Sequence, residues 1–156
     1  MRNRLALHRQ TPRFITADWV ELLRVADYLR AQHVGDQELI CYSASTTHLL
    51  TILDVRPASR FLFPSIFCKG SLAGHREANQ AEMRASRVRF LVTDMEEYAG
   101  LTPQQAAAEV PGQPLALPPA LPADRRGRYP LTEPVVFRAG RYYVHRATAA
   151  SPRLPE

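Results

Sequence analysis

The fold is decided by residues 18–63, which read DWVELLRVADYLRAQHVGDQELICYSASTTHLLTILDVRPASRFLF. Apolar residues recur at helical spacing after Asp18, whose carboxylate is suited to cap a helix, and Gly35 is placed to end that helix. A short apolar strand is predicted at residues 39–42, followed by a hydroxyl-rich turn, a second helix at 49–53 and a second strand at 60–63. Alternating helices and strands of this kind are typical of an open α/β sheet.

The downstream sequence continues the alternation. A polar helix is predicted at residues 71–87, and VRFLVT at 88–93 predicts a third strand, which Asp94 closes. Thr102 followed by Pro103 indicates another helix start. Two apolar runs, residues 135–137 and 142–144, flank Ala139 and Gly140 and predict a β-hairpin.

These elements predict one small domain. Right-handed crossovers would make the first three strands parallel, in the order 2-1-3. The expected fold is therefore α/β: a three-layer, Rossmann-like open sheet of three parallel strands, extended by the C-terminal antiparallel hairpin. We expect this domain to span residues 18–146, with a flexible basic arm at 1–17, a proline-rich loop at 111–130 and a disordered tail at 147–156.

The chain is basic, with a formal net charge of +5, and its arginines are clustered. One cluster comprises Arg2, Arg4, Arg9 and Arg13, and a second comprises Arg125, Arg126 and Arg128. Contacts with lipid headgroups or nucleic acid are one interpretation. Solvated loop charges are the favoured one, and a nucleic-acid partner is not expected. No run approaches about 20 apolar residues, so no transmembrane segment is expected either.

No cofactor or metal is expected from the motifs. The GSLAG run at residues 70–74 lacks both dinucleotide-binding spacing and a Walker lysine. The five histidines are scattered without the spacing of zinc ligands. Cys41 ends an apolar strand and is expected to be a buried thiol, with a disulfide to Cys68 as the alternative if the two strands are neighbours.

A candidate ligand site lies where the predicted strands end. Carboxyl ends of parallel strands share one edge of a sheet, which places Tyr42, Ser43 and Thr46 near Asp94. The competing interpretation makes these residues helix caps, with Asp94 capping the turn that follows it. A nucleophilic pair of Ser43 or Ser45 with His48 is a further alternative, and it would need an orienting group and an oxyanion site.

The chain also resembles a known family in several short runs. They are DW at residues 18–19, VADYLR at 25–30, ELICY at 38–42, LLTIL at 49–53, RPASRF at 56–61 and PVVFRAGRYYVHR at 134–146. Together these are similar to the soluble C-terminal region of dolichyl-phosphate-mannose-protein mannosyltransferase-like membrane glycosyltransferases of the GT-C fold. The resemblance covers residues 18–146 and consists of fold residues, so it carries over no catalytic residue.

The resemblance implies a non-catalytic accessory or interaction domain of, or derived from, a polyprenyl-phosphate-sugar-dependent membrane glycosyltransferase. Its implied partner is the membrane-embedded part of such an enzyme. The alternative is a stand-alone small α/β ligand-binding protein or enzyme with its site at the carboxyl-end rim of the sheet. The first hypothesis implies a location outside the cytoplasm, whereas an independent chain is expected in the cytoplasm.

Overall fold

A computed structural model of the protein describes residues 16–59 and 87–148. The first range contains α1 (Trp19–Ala31), β1 (Leu39–Cys41), a 3-10 turn (Ala44–Thr47) and α2 (His48–Leu53). The second contains β2 (Phe90–Asp94), α3 (Met95–Ala99), α4 (Pro103–Ala107), α5 (Ala123–Arg126), β3 (Val135–Ala139) and β4 (Tyr142–Arg146). The predicted strand at 60–63, the predicted helix at 71–87 and Cys68 lie outside the described residues, except for Arg87, which is not helical.

The described strands form one mixed sheet in the order β1-β2-β4-β3. β1 and β2 are parallel, β2 and β4 are antiparallel, and β3 and β4 form the predicted hairpin. The prediction of a Rossmann-like sheet with three parallel strands is therefore wrong. The physical reason lies in β4, whose residues Tyr142 to His145 are all buried because the strand is central, with both faces and both edges covered.

One face of the sheet packs against α1 and α2. Asp18 caps α1 by accepting a hydrogen bond from the amide of Glu21, as predicted. The helix buries one apolar stripe against the strands, and the members of this cluster are Leu22, Val25, Ala26, Leu29, Leu39, Cys41, Leu49, Phe90, Val92, Ala139, Tyr142 and Val144. This cluster is the larger part of the core, and through it α1 packs against both strands of the hairpin, β3 and β4.

The opposite face of the sheet is covered by α3, α4 and the proline-rich segment. Leu121 and Tyr129 of that segment are buried against the sheet together with Leu131, which directly follows it, so the predicted loop forms part of the core. Arg126 supports the loop by donating to the carbonyl oxygens of Leu121, Pro118 and Pro119 at 3.2, 2.7 and 3.1 Å.

The arginines of the second basic cluster are therefore engaged internally. Arg125 donates to the carbonyl of Tyr98 at 2.7 Å, and Arg128 pairs with Asp124 at 3.0 Å. Arg126 is held by the three carbonyls of its own loop. These contacts weaken the interpretation of this cluster as an anion-binding surface.

A fully buried histidine lies beneath the proline-rich face. The Nδ1 of His145 is 3.1 Å from the carbonyl oxygen of Glu133, which can only accept, so Nδ1 carries the proton. Nε2 is 2.9 Å from the hydroxyl of Thr93 and is left to accept from it. Burial lowers the pKa of His145 to about 4, so the ring is neutral in the folded protein at neutral pH.

This histidine predicts acid sensitivity of the fold. Between its ordinary pKa of 6.5 and about 4, His145 binds a proton in the unfolded chain but not in the folded one. Its contribution to stability is therefore complete above about pH 6.5 and is lost as the pH falls toward 4, which amounts to about 3 kcal/mol. Urea unfolding at a series of pH values measures this loss.

The matched control is His145→Gln, which does not titrate. We expect the difference in unfolding free energy between the wild type and this variant to shrink as the pH falls through the same window. Other titrating groups, including Asp94, are present in both proteins and cancel in the difference. Parallel pH profiles for the two proteins would contradict the assignment.

Candidate functional site

The carboxylate of Asp94 is the centre of a buried polar cluster at the rim of the sheet. It is 0% exposed. Its Oδ1 accepts from the amides of Glu96 and Glu97 at 3.0 and 3.4 Å, which caps α3. Its Oδ2 accepts from the hydroxyl of Ser45 at 2.6 Å. The helix cap that the sequence favoured for this residue is confirmed.

A second carboxylate, that of Glu97, also links α3 to the turn that follows β1. Glu97, in α3, accepts from the amides of Ala44 and Ser45 at 2.7 and 3.1 Å. These amides open the 3-10 turn that follows β1, where main-chain donors have no partner within the turn. Asp94 and Glu97 therefore join the segment after β1 to the segment after β2 in a reciprocal arrangement.

The hairpin contributes the cation of the cluster. The Nε of Arg141 lies 3.1 Å from Oδ2 of Asp94, a distance that makes an ion pair although its angle is poor for a hydrogen bond. Nη1 of the same guanidinium pairs with Glu96. Nη2 donates to the hydroxyl of Tyr142 at 3.1 Å and to the carbonyl of Thr16 at 2.7 Å.

The cluster also reaches the start of α1. The hydroxyl of Tyr142 accepts from the amide of Asp18 at 2.9 Å. Gly140, in the hairpin turn, has a φ of +52°, and a Cβ there would come within 3.0 Å of the Cγ of Glu21. The turn therefore fits closely against the first turn of α1, and glycine is suited to the position on both counts.

The electrostatics of Asp94 reflect opposed effects. Burial raises the pKa of Asp94 above its ordinary value, and the hydrogen bond from Ser45 and the charge of Arg141 offset that rise only in part. Three of the four groups that approach the carboxylate, the amides of Glu96 and Glu97 and the guanidinium of Arg141, can only donate, and the Ser45 hydroxyl can donate to an ionised Oδ2. The arrangement fits an ionised carboxylate paired with Arg141, which is a structural ion pair rather than an acid poised to donate.

The structure brings the four predicted site residues into one region but leaves none of them open to solvent. Tyr42, Ser43, Thr46 and Asp94 are each 0% exposed. Ser43 accepts from the amide of Asp94 at 3.0 Å, and Thr46 donates to the carbonyl of Ser43 at 2.7 Å. Tyr42 packs against the ring of Tyr98. Ligand binding by this set stays a prediction, and it would require these contacts to open.

The structure does not place Ser43 or Ser45 in the geometry of a nucleophilic pair with His48. Ser45 donates to Asp94, and the exposed ring of His48 lies against Trp19 with centroids 4.8 Å apart. Sequence reasoning missed Arg141 and the capping role of Glu97. Both contacts depend on strand pairing: the β2–β4 register places Tyr142, next to Arg141, opposite Asp94, and the parallel pairing of β1 with β2 brings the turn after β1 to Glu97.

The remaining chemistry-bearing groups offer no alternative centre in residues 16–59 and 87–148. Cys41 is a buried free thiol, and burial raises its pKa to about 12, which makes it unreactive at neutral pH. No group of three metal-ligating side chains occurs within these ranges. An open cleft of about 580 Å³ runs along α2, and its lining residues are Thr47, His48, Leu50, Thr51, Asp54, Val55, Arg56 and Pro57.

Fold and site together define a small α/β domain with a mixed sheet and a closed polar rim. Comparisons of this chain with protein-family models, with curated proteins and with solved structures find no match. Within the described ranges, no helix has the length and apolar character needed to cross a membrane.

Removing the central carboxylate tests whether the rim is structural. Asp94→Ala deletes the α3 cap and leaves Arg141 and the Ser45 hydroxyl without their buried partner. We expect a loss of about 3 kcal/mol in unfolding free energy, measured by urea denaturation.

The control is Asp124→Ala, which removes an exposed acid that pairs with Arg128. We expect that change to cost less than about 1 kcal/mol. If Asp94→Ala kept wild-type stability and abolished binding of a ligand, the rim would be a binding site and the structural assignment would be wrong.

Proposed function

We propose that this chain is a non-catalytic accessory or interaction domain, which acts by binding a partner rather than by transforming a substrate. The observation that carries the proposal is the closed rim. The residues best placed for chemistry are fully buried, and their hydrogen bonds connect parts of the fold to one another. A catalytic rim would need polar groups directed into an accessible pocket.

The outer surface supports the same proposal. Large apolar side chains that are exposed in the described ranges concentrate on α1, where Trp19, Val20 and Leu23 lie within its first five residues. Contiguous exposed apolar groups mark interaction surfaces more often than catalytic ones. This patch lies on the side of α1 that does not contact the sheet.

The resemblance to polyprenyl-phosphate-sugar-dependent glycosyltransferases supplies the proposed partner, the membrane-embedded part of such an enzyme. The competing candidate is a small enzyme or ligand-binding protein at the Asp94 rim. The two differ in where contacts form, because a partner would touch α1 whereas a rim ligand would have to reach Ser43 and Asp94.

Site-specific photo-crosslinking in the source cell tests the proposal. A photoreactive residue at position 20 is expected to crosslink to a polytopic membrane protein, which must transfer sugar from a polyprenyl-phosphate donor when isolated. The same photoreactive residue at Leu115, an exposed apolar position in the proline-rich segment, is the matched control and is expected to give no such product.

An immunoblot of membrane and soluble fractions completes the experiment. We expect the antigen in the membrane fraction, either in a band well above the 17.6 kDa of this chain or as the crosslinked product. A soluble 17.6 kDa band without a crosslink at position 20 would contradict the proposal and direct attention to the rim.

A further inference from the structure

The outer edge of β3 pairs with no strand in residues 16–59 and 87–148. β3 is the last strand in the sheet order and pairs there only with β4. Its first four residues are partly exposed, whereas the first four residues of the neighbouring β4 are buried. A strand edge with unpaired main-chain groups is a template to which a further strand can add.

The strand register shows which main-chain groups of β3 face this edge. Arg141 directly precedes β4, and its carbonyl accepts from the amide of Met95, directly after β2. Because alternate residues of a strand bond to opposite neighbours, Tyr143 also points its main-chain groups toward β2. Arg138, which lies opposite Tyr143, therefore directs its amide and carbonyl away from β4 and toward the open edge. Within the described residues, these two groups make no other hydrogen bond.

The side chain of Arg138 is a buried cation with an unused donor. It is 6% exposed, and its guanidinium lies over the ring of Tyr143, 5.1 Å from the ring centre. Nη2 donates to the carbonyl of Ala107, and Nε donates to that of Gly140 at 3.4 Å. Nη1 is buried and has no hydrogen-bond partner in the described part of the chain. Since a buried donor without a partner is costly, this position is suited to an acceptor that comes from outside.

Glu109 meets the charge of Arg138 only in part. Its Oε1 is 4.0 Å from Nη1, which is beyond hydrogen-bond distance, and its side chain is 68% exposed. An exposed carboxylate at this distance attracts the guanidinium weakly. Two further acids, Asp94 and Glu96, are engaged with Arg141. A better placed carboxylate can therefore take over Nη1 once the exposed side chain of Glu109 moves aside.

We propose that the outer edge of β3 binds an extended acidic segment of a partner protein, which adds to the sheet as a strand and places a glutamate or aspartate opposite Arg138. The main-chain groups of Arg138 hold the added strand, and Nη1 donates to the carboxylate in place of Glu109. Residues directly opposite each other on neighbouring strands project to the same face of the sheet, so one partner residue can make both contacts. This inference goes beyond the proposed function, because the surface does not include the exposed residues of α1.

A second copy of this chain fits the edge less well. β3 has the sequence VVFRA and contains no acidic residue. Two copies paired around Arg138 would bring two cations toward each other with no carboxylate from either strand between them, and like charges in opposite positions are destabilising. Charge complementarity therefore favours an acidic segment of another protein.

Peptide titration followed by NMR of the full chain tests the proposal. The probe is a short peptide of alternating valine and threonine with a central glutamate. We expect it to shift the amide signals of residues 136–139 and to leave those of β1 unchanged. Replacing its glutamate by glutamine is expected to weaken binding by about tenfold, because a charge-assisted hydrogen bond is lost. N-methylation of its central amide is expected to abolish binding, because the added strand then lacks a main-chain donor.

Variants of the chain test the same contact from the other side. Arg138→Gln keeps a side-chain donor but loses the charge, and we expect it to bind the acidic peptide about tenfold more weakly. Glu109→Gln removes the competing carboxylate and is expected to bind about threefold more tightly. The matched control is Arg56→Gln, which breaks an ion pair with Asp36 near β1, at the other end of the sheet, and is expected to bind as the wild type does. Melting temperatures show whether each variant is folded.

Several results would overturn the inference. They are an absence of binding by the acidic peptide, equal binding of its glutamine form, and undiminished binding of its N-methylated form. Acetate or phosphate that shifts the same signals as strongly as the peptide would indicate a simple anion site instead, and a dimer of the free chain paired through β3 would make the edge an interface between copies. The crosslink from position 20 involves α1, so its failure and the failure of peptide binding are separate results.

Discussion

The buried carboxylate of Asp94 is the interaction on which the rest of the described structure depends. An ionised group out of contact with water is costly unless donors surround it. Here the donors come from three separate parts of the chain: the amides of α3, the hydroxyl of Ser45 after β1, and Arg141 in the hairpin turn. The cost of burial is thus offset only when all three parts are in place, which makes the rim cooperative.

This arrangement has a functional side. Open α/β sheets commonly hold ligands at the carboxyl ends of their strands, because connections diverge there and leave a crevice. In this chain the two connections converge, since Asp94 reaches the turn after β1 and Glu97 accepts from its amides. The usual crevice is occupied by the protein's own side chains, so the proposed interaction function would use the outer surface, where α1 exposes Trp19, Val20 and Leu23.

Helix starts were predictable from the sequence, because capping depends on residues that are close together in the chain. Asp18 and Asp94 cap their helices as predicted. Thr102, directly before the proline at the first helical position, forms a capping box with Gln105. The strand order was not predictable in the same way. An apolar run such as YYV does not reveal which neighbour it will have, and the central position of β4 became evident only from its pairing with β2.

The central position of β4 has a consequence for how the domain is made. The last of the described strands to be synthesised, β4, is inserted between β2 and β3, which are synthesised before it. The hydrogen bond from the amide of Asp18 to the hydroxyl of Tyr142 likewise cannot form until β4 is present. Such long sequence separations slow folding, because the entropy of closing the loop is lost before the stabilising contacts form. Until β4 has been synthesised, the edge of β2 that pairs with it has no partner, and an unpaired apolar strand edge favours association with other chains.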